Sequence, residues 1–432
     1  MPAIEHRLAK LQQSPIVLGA LAVALAAYLL VLVRHQWGWV APDLAVFLRA
    51  AGDVQQGVNP YQTPPGDLPY VSGPFLAQML VPTSSLDPIE VSRAWLLLNL
   101  VLLATLTLLL VRTFGKESRA LVLVGGLLVL SFPVRWTLGN GQVGLLVCLL
   151  IVAVLVRALQ PGRIPTAHMI ACGVALWLCL EFKPYLTLVT IAALLVARRF
   201  AILVTACAAV LATNALSLAS GSSVNWLIWA RALTSRTGSI DSGEVDQSSP
   251  FGILSNLMPG SLAALLSIAI CGGLVFLTVR ALRRQRKSWA LQVAVLLALT
   301  PFFSPYVHYQ DWLFSCIAVV AILLTSQQQG SPLAAGTLIA TGLLLSWMNP
   351  SWVNGLIAIA LTLALLWLLG GVGARGLGII GAAAVLLQAA EAFAFRSAGW
   401  QLQYFVASVA ALLLGVFAWV GTITFREANR DN

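Results

Sequence analysis

A chain of 432 residues with 59% hydrophobic and only 9% charged side chains cannot clothe itself in polar surface as soluble domains do, in which about a quarter of residues are charged. That composition excludes an ordinary soluble globular protein and makes lipid the surrounding solvent. The formal net charge of +10 would suit nucleic acid in a soluble protein, but here the Arg and Lys residues sit in short connections between apolar runs, so no nucleic-acid partner is expected.

A span of the hydrocarbon core needs about 20 apolar residues. Apolar segments lie at 16–33, 94–111, 120–132, 142–156, 166–180, 185–197, 200–219, 259–279, 289–302, 311–325, 332–347, 351–369, 376–395 and 402–424. They predict an all-α polytopic bundle of about 12–14 spans, forming one integral membrane domain over residues 1–432. Several segments are short for a full crossing, which leaves room for broken or re-entrant helices. The first follows Arg7 and Lys10, is longer than a signal-peptide core and lacks a small-residue cleavage site, so it reads as an uncleaved span.

Two connections are long. Residues 34–93 contain Asn59-Pro60-Tyr61, Thr63-Pro64-Pro65-Gly66 and Ser72-Gly73-Pro74-Phe75, punctuation that breaks helices and makes turns. Within them, Asp43 to Gln56 is expected to form a short helix along the interface. Residues 220–259 carry Trp226 and Trp229, typical of an interfacial belt. The six cysteines, Cys148, Cys172, Cys179, Cys207, Cys271 and Cys316, lie in apolar stretches without a Cys-x-x-Cys pair and read as small buried hydrophobes rather than metal ligands or disulfides.

Charge gives the topology. With the N-terminus in the cytoplasm and sides alternating, 17 of the 25 basic residues fall inside, including the run Arg280 to Lys287. The bias predicts a multi-pass cell-membrane protein with both termini cytoplasmic. The carboxylates divide the other way, with 11 of 15 outside.

The same topology gathers four polar motifs on the outer face: Asp43 after the first span, Gly139-Asn140-Gly141-Gln142, Glu181-Phe182-Lys183-Pro184-Tyr185, and Ser304-Pro305-Tyr306-Val307-His308-Tyr309-Gln310-Asp311. Ionisable groups near membrane depth are costly and usually mark a site. Taken singly, each also has a structural reading. Asp43 is either a helix cap, a site residue or both, and Gly-Asn-Gly-Gln suits an ordinary tight turn. Lys183 suits a local ion pair with Glu181, and His308 a structural histidine.

The stretch Asp43…Gly57-Val58-Asn59-Pro60-Tyr61…Pro74-Phe75 resembles the first outer loop of glycosyltransferase family 87. Gly139-Asn140-Gly141-Gln142 is similar to that family's G-N-G-Q-x-N motif, with Gly144 in place of Asn. Lys183-Pro184-Tyr185 resembles its K-P element, and Ser304-Pro305…His308 an element that ends in a His pair, here reduced to His308 and Tyr309. The resemblance covers roughly residues 15–325, with the motifs in order. It implies a GT-C fold and a sugar, mannose as best guess, moved from a polyprenyl-phosphate carrier to a glycolipid or other cell-envelope glycan on the outer face.

Asp43, at the position of the family's Asp, is the expected general base, with Glu181 and Asp311 as rivals. Lys183, His308 and Arg49 are candidate cations for the donor phosphate. Asn140, Gln142 and Tyr61 are further candidates for binding phosphate or sugar. Attack from the face opposite the leaving phosphate inverts the anomeric carbon. No cofactor and no metal are expected. Two other classes stand beside this one. A transporter or flippase for lipid-linked substrates would show internal repeats and polar groups at the membrane midplane. A non-catalytic envelope scaffold would not need Asp43, Lys183 and His308 to converge.

Overall fold

The computed structural model describes residues 14–63, 67–115, 119–220, 224–237, 289–303 and 309–327, with isolated positions at 222, 262, 265, 266 and 269. Among these residues every regular element is a helix: α1 (Pro15–Gln36), α2 (Pro42–Gln55), α3 (Pro74–Leu80), α4 (Pro88–Phe114), α5 (Arg119–Leu130), α6 (Phe132–Asn140), α7 (Gly144–Leu159), α8 (Thr166–Phe182), α9 (Leu188–Val196), α10 (Phe200–Ala219), α11 (Trp226–Thr237), α12 (Trp289–Leu299) and α13 (Leu313–Gln327). Short 3-10 turns follow α3 (Val81–Thr83), precede α9 (Pro184–Thr187) and lie between α12 and α13 (Thr300–Phe303 and Tyr309–Trp312). The expected apolar segments at 259–279 and beyond 331, the run Arg280 to Lys287 and most of the second long loop lie outside the described residues.

Among the described residues three helices, α1, α4 and α10, are long and apolar enough to cross a membrane alone. Their outward faces show why lipid must surround them. Ile16, Val23, Leu30 and Val31 on α1, Val101 on α4, and Val204, Leu211 and Leu216 on α10 are all exposed. Such apolar surface is a liability in water and the required surface in hydrocarbon. The core is built chiefly from α4, α5, α7 and α13, packed against one another. α4 turns a stripe of Leu96, Leu103, Leu106, Leu110 and Phe114 inward, and α7 is buried almost all round. The ends of α4 are chemically marked: Asp87 caps the first turn by accepting from the Ile89 amide at 2.9 Å, and Arg112 sits in the last turn, each complementing the helix dipole.

Several details answer to single residues. The expected span over 120–132 is the helix α5, but the chain then turns by 63° into α6. Pro133, in the first turn of α6, has no amide to continue the α5 ladder and so permits the break. The short helix expected over Asp43 to Gln56 is α2, started by Pro42 at its first position. Cys148, Cys172, Cys179 and Cys316 are buried free thiols, as expected. Cys207 is exposed on α10, and the reading of it as buried is corrected: the helix shows that face outward. Cys271 lies outside the described residues.

A candidate active site at one end of the bundle

The motif segments meet. α2 and the turn Tyr309–Trp312 both pack on α6, the turn Pro184–Thr187 packs on Thr300–Phe303, and α3 packs on α8. Residues up to 268 positions apart, from Asp43 to Asp311, are thereby brought to one end of the bundle.

Asp43 stands in the first turn of α2, but it is not the cap. The cap position is Ala41, and no side chain caps the helix. The Ala41 amide is instead held by Ser92 Oγ of α4 at 3.3 Å, while that hydroxyl donates to Trp39 O at 3.2 Å. With the helix start fixed from α4, the half-buried Asp43 carboxylate is left to reach across the bundle, where Oδ2 accepts a hydrogen bond from Gln142 Nε2.

Gly-Asn-Gly-Gln delivers that amide. Gly141 ends α6 in the left-handed conformation, φ 69°, and the amides of Gly141 and Gln142 both turn back to Thr137 O, the usual glycine termination of a helix. Two constraints demand glycine here. A side chain resists that φ, and a Cβ on Gly141 would lie 2.8 Å from Ala41 Cβ and 2.9 Å from Leu44 Cβ. The turn therefore rests directly on the first turn of α2 and puts Gln142 beside Asp43. Asn140 does not join them: its Nδ2 donates to Trp136 O of its own helix at 3.1 Å.

Lys183 comes from the K-P element. The residue before a proline is steered out of the α conformation. Lys183 accordingly leaves α8 with φ −142° and ψ 76°. Its ammonium lies 2.7 Å from Asp311 Oδ1, with the two side chains 3% and 0% exposed, and 6.0 Å from the Tyr185 ring centroid. The pairing with nearby Glu181 suggested by sequence is replaced by one that spans 128 positions. Asp43 lies within electrostatic reach of both Lys183 and Tyr185.

Glu181 has another set of partners. Oε1 accepts from the indole N–H of Trp177 at 3.2 Å, the hydroxyl of Thr213 at 3.1 Å and the indole N–H of Trp226 at 3.2 Å, while Oε2 accepts from the Phe75 amide at 3.3 Å. This buried carboxylate ties α8 to α3, α10 and α11. Ser-Gly-Pro belongs to the same joint, because a Cβ at Gly73 would lie 2.2 Å from the Glu181 carbonyl oxygen. Among the three carboxylates considered as the base, Asp43 retains accessible surface, whereas Glu181 and Asp311 are each 1% exposed.

The remaining candidates from the first loop hold that loop together. Arg49 pairs with Asp67 at 2.8 Å and donates to Leu68 O at 2.8 Å. Tyr61 donates to Ser72 O at 3.2 Å and packs on Tyr70 at 5.3 Å, while Tyr70 donates to Gly73 O at 2.7 Å. Burial pushes both phenols up from their ordinary pKa, so both remain protonated donors. His308 lies outside the described residues, as do Ser304 and Pro305. One ionisable residue escaped the sequence reading: Arg135 on α6, whose Nη1 donates to Tyr28 Oη of α1 at 3.0 Å. A lone arginine between Pro133 and Trp136 was its signal. Among the described residues, no three of His, Cys, Asp and Glu gather closely enough to hold a metal ion.

Comparison with known proteins adds to this geometry. The family model of glycosyltransferase family 87 matches residues 70–305, more than half of the chain. No curated protein matches. Among solved structures, the crystal structure of ArnT from Cupriavidus metallidurans bound to undecaprenyl phosphate is similar over 93% of this chain and 77% of that chain, at 15% identity and a TM-score of 0.40.

Proposed function

This chain belongs to glycosyltransferase family 87, and from that premise we propose that it transfers a sugar, with mannose the first candidate, from a polyprenyl-phosphate carrier to a hydroxyl of a glycolipid or other cell-envelope glycan. The reaction takes place at the extracytoplasmic face, with the termini in the cytoplasm. The observation that carries the reading is a half-buried carboxylate, Asp43, held by Gln142 within electrostatic reach of the Lys183–Asp311 pair. A base and a cation at the end of a lipid-embedded bundle suit a donor whose phosphate and sugar lie at the membrane surface while its chain stays in lipid.

In the proposed step Asp43 accepts the proton of the acceptor hydroxyl. The oxygen attacks the anomeric carbon from the face opposite the phosphate. The bond from that carbon to the phosphate oxygen breaks, and its electron pair leaves on polyprenyl phosphate. The anomeric centre is inverted. Lys183, buried and held by Asp311 and Tyr185, supports the departing charge through the field of its ammonium. No metal and no further cofactor takes part in this scheme.

The test is transfer by the purified protein in detergent or nanodiscs, supplied with polyprenyl-phosphate-mannose and candidate glycolipids and assayed with and without EDTA. The expected product is the acceptor extended by one sugar, formed equally with EDTA present. Movement of the lipid-linked sugar across vesicles without any transfer would put the protein among transporters or flippases instead.

A further inference from the structure

The geometry points to Gln142 as a positioning residue that orients the Asp43 carboxylate and holds it in its base form, an inference that rests on the assignment of Asp43 as the base. Gln142 is 8% exposed and spends its amide N–H on Asp43 Oδ2. Its other polar atom, Oε1, is buried without a hydrogen-bond partner. Burying an acceptor unsatisfied is unfavourable, and each such group in a folded protein calls for an explanation. Rotating the amide does not relieve it, because Oε1 would then face the Asp43 carboxylate oxygen. The carboxylate therefore sets the orientation of the amide, and the orphaned oxygen follows from it.

The backbone is built around the same contact. Gly141 takes a left-handed φ and lies against Ala41 and Leu44 with no room for a Cβ, which closes the distance between α6 and α2 that a glutamine side chain then bridges. With Oδ2 held by an N–H from Gln142, just past the end of α6, the orientation of the carboxylate is fixed. A donor to a carboxylate also favours its ionised form, the form a general base needs. Lys183 and Tyr185 are titratable groups that face Asp43, with Asp311 paired to Lys183.

The experiment compares Gln142→Met, Gln142→Glu and Asp43→Asn with the unaltered full-length protein, measuring transfer over a range of pH and thermal stability in the same detergent. Methionine keeps the length and removes the donor together with the orphaned oxygen, so stability is expected to hold or rise. Its kcat is expected to fall roughly 10–100-fold, less than the full 10²–10⁴-fold of general-base catalysis because the base itself remains, while the donor KM changes little. The acid limb of the pH profile moves up by on the order of one unit as the anion loses its donor. Glutamate places a second carboxylate beside Asp43 and moves the limb further. The inference is overturned if both Gln142 variants keep the acid limb of the unaltered protein while Asp43→Asn is inactive. It is also overturned if Gln142→Met loses stability and activity together with an unmoved limb. Full turnover by Asp43→Asn would instead remove the underlying assignment and this inference with it.

Discussion

Removing one member of the Lys183–Asp311 pair leaves the other charge buried in the bundle. At 2.7 Å, with side chains 3% and 0% exposed, the mutual attraction is about 6 kcal/mol at an effective dielectric of ~20, and it is opposed by the desolvation of both groups. The net worth of the pair is therefore small, but the loss of one partner costs about 3–5 kcal/mol. Lys183→Met and Asp311→Leu are each expected to lower the apparent Tm in detergent by on the order of 5–10 °C. The double variant replaces the pair with apolar groups and is expected to return close to the original stability. Transfer does not return with it, because the cation at the site is gone. Thermal unfolding of the four proteins, followed by the transfer assay on each, separates the two roles. Additive losses in the double variant would refute the energetic argument. A double variant that is stable and fully active would remove Lys183 from the chemistry.

Gly141→Ala meets both an unfavourable φ and the first turn of α2; a loss of about 1–2 kcal/mol and at least a tenfold loss of transfer are expected, checked by melting and kinetics. Glu181→Ala leaves the Phe75 amide and the indole N–H groups of Trp177 and Trp226 without their acceptor and is expected to cost about 3 kcal/mol. Limited proteolysis should then cut more readily near α3 and α11, and an unchanged digestion pattern would deny Glu181 its role as a joint. For topology, cysteine introduced as Gln62→Cys is expected to react with an impermeant reagent on intact cells and Arg284→Cys only after lysis; the opposite pattern would invert the orientation.

Much of this was legible in the sequence because hydrophobic run length and charge bias are one-dimensional signals. The helices α4, α5 and α7 to α10 lie where apolar runs predict them, whereas α6 falls between two runs; the charge-based topology puts Asp43, Gln142, Lys183 and Asp311 on one side, and the packing brings their segments together. Partners across the bundle were not legible. Lys183 stands two positions from Glu181, yet its charge is met by Asp311, since Pro184 turns the chain away after Lys183. Glu181 looked like a rival base until the indoles of Trp177 and Trp226 closed on it. Arg49 looked like a phosphate cation, but Asp67 on the same loop takes it up. Gly73 and Gly141 signalled turns in the sequence; that each marks a backbone contact with a remote helix emerged only from the packing.

The central claim is that Asp43 is the base for sugar transfer, and Asp43→Asn tests it most directly. The substitution keeps the shape of the side chain and removes its capacity to accept the proton. The measurement is single-turnover transfer from polyprenyl-phosphate-mannose to acceptor, together with donor binding by the same preparation. A roughly 10²–10⁴-fold loss of rate with donor binding and melting temperature retained is the predicted result; turnover near that of the unaltered protein would contradict the account.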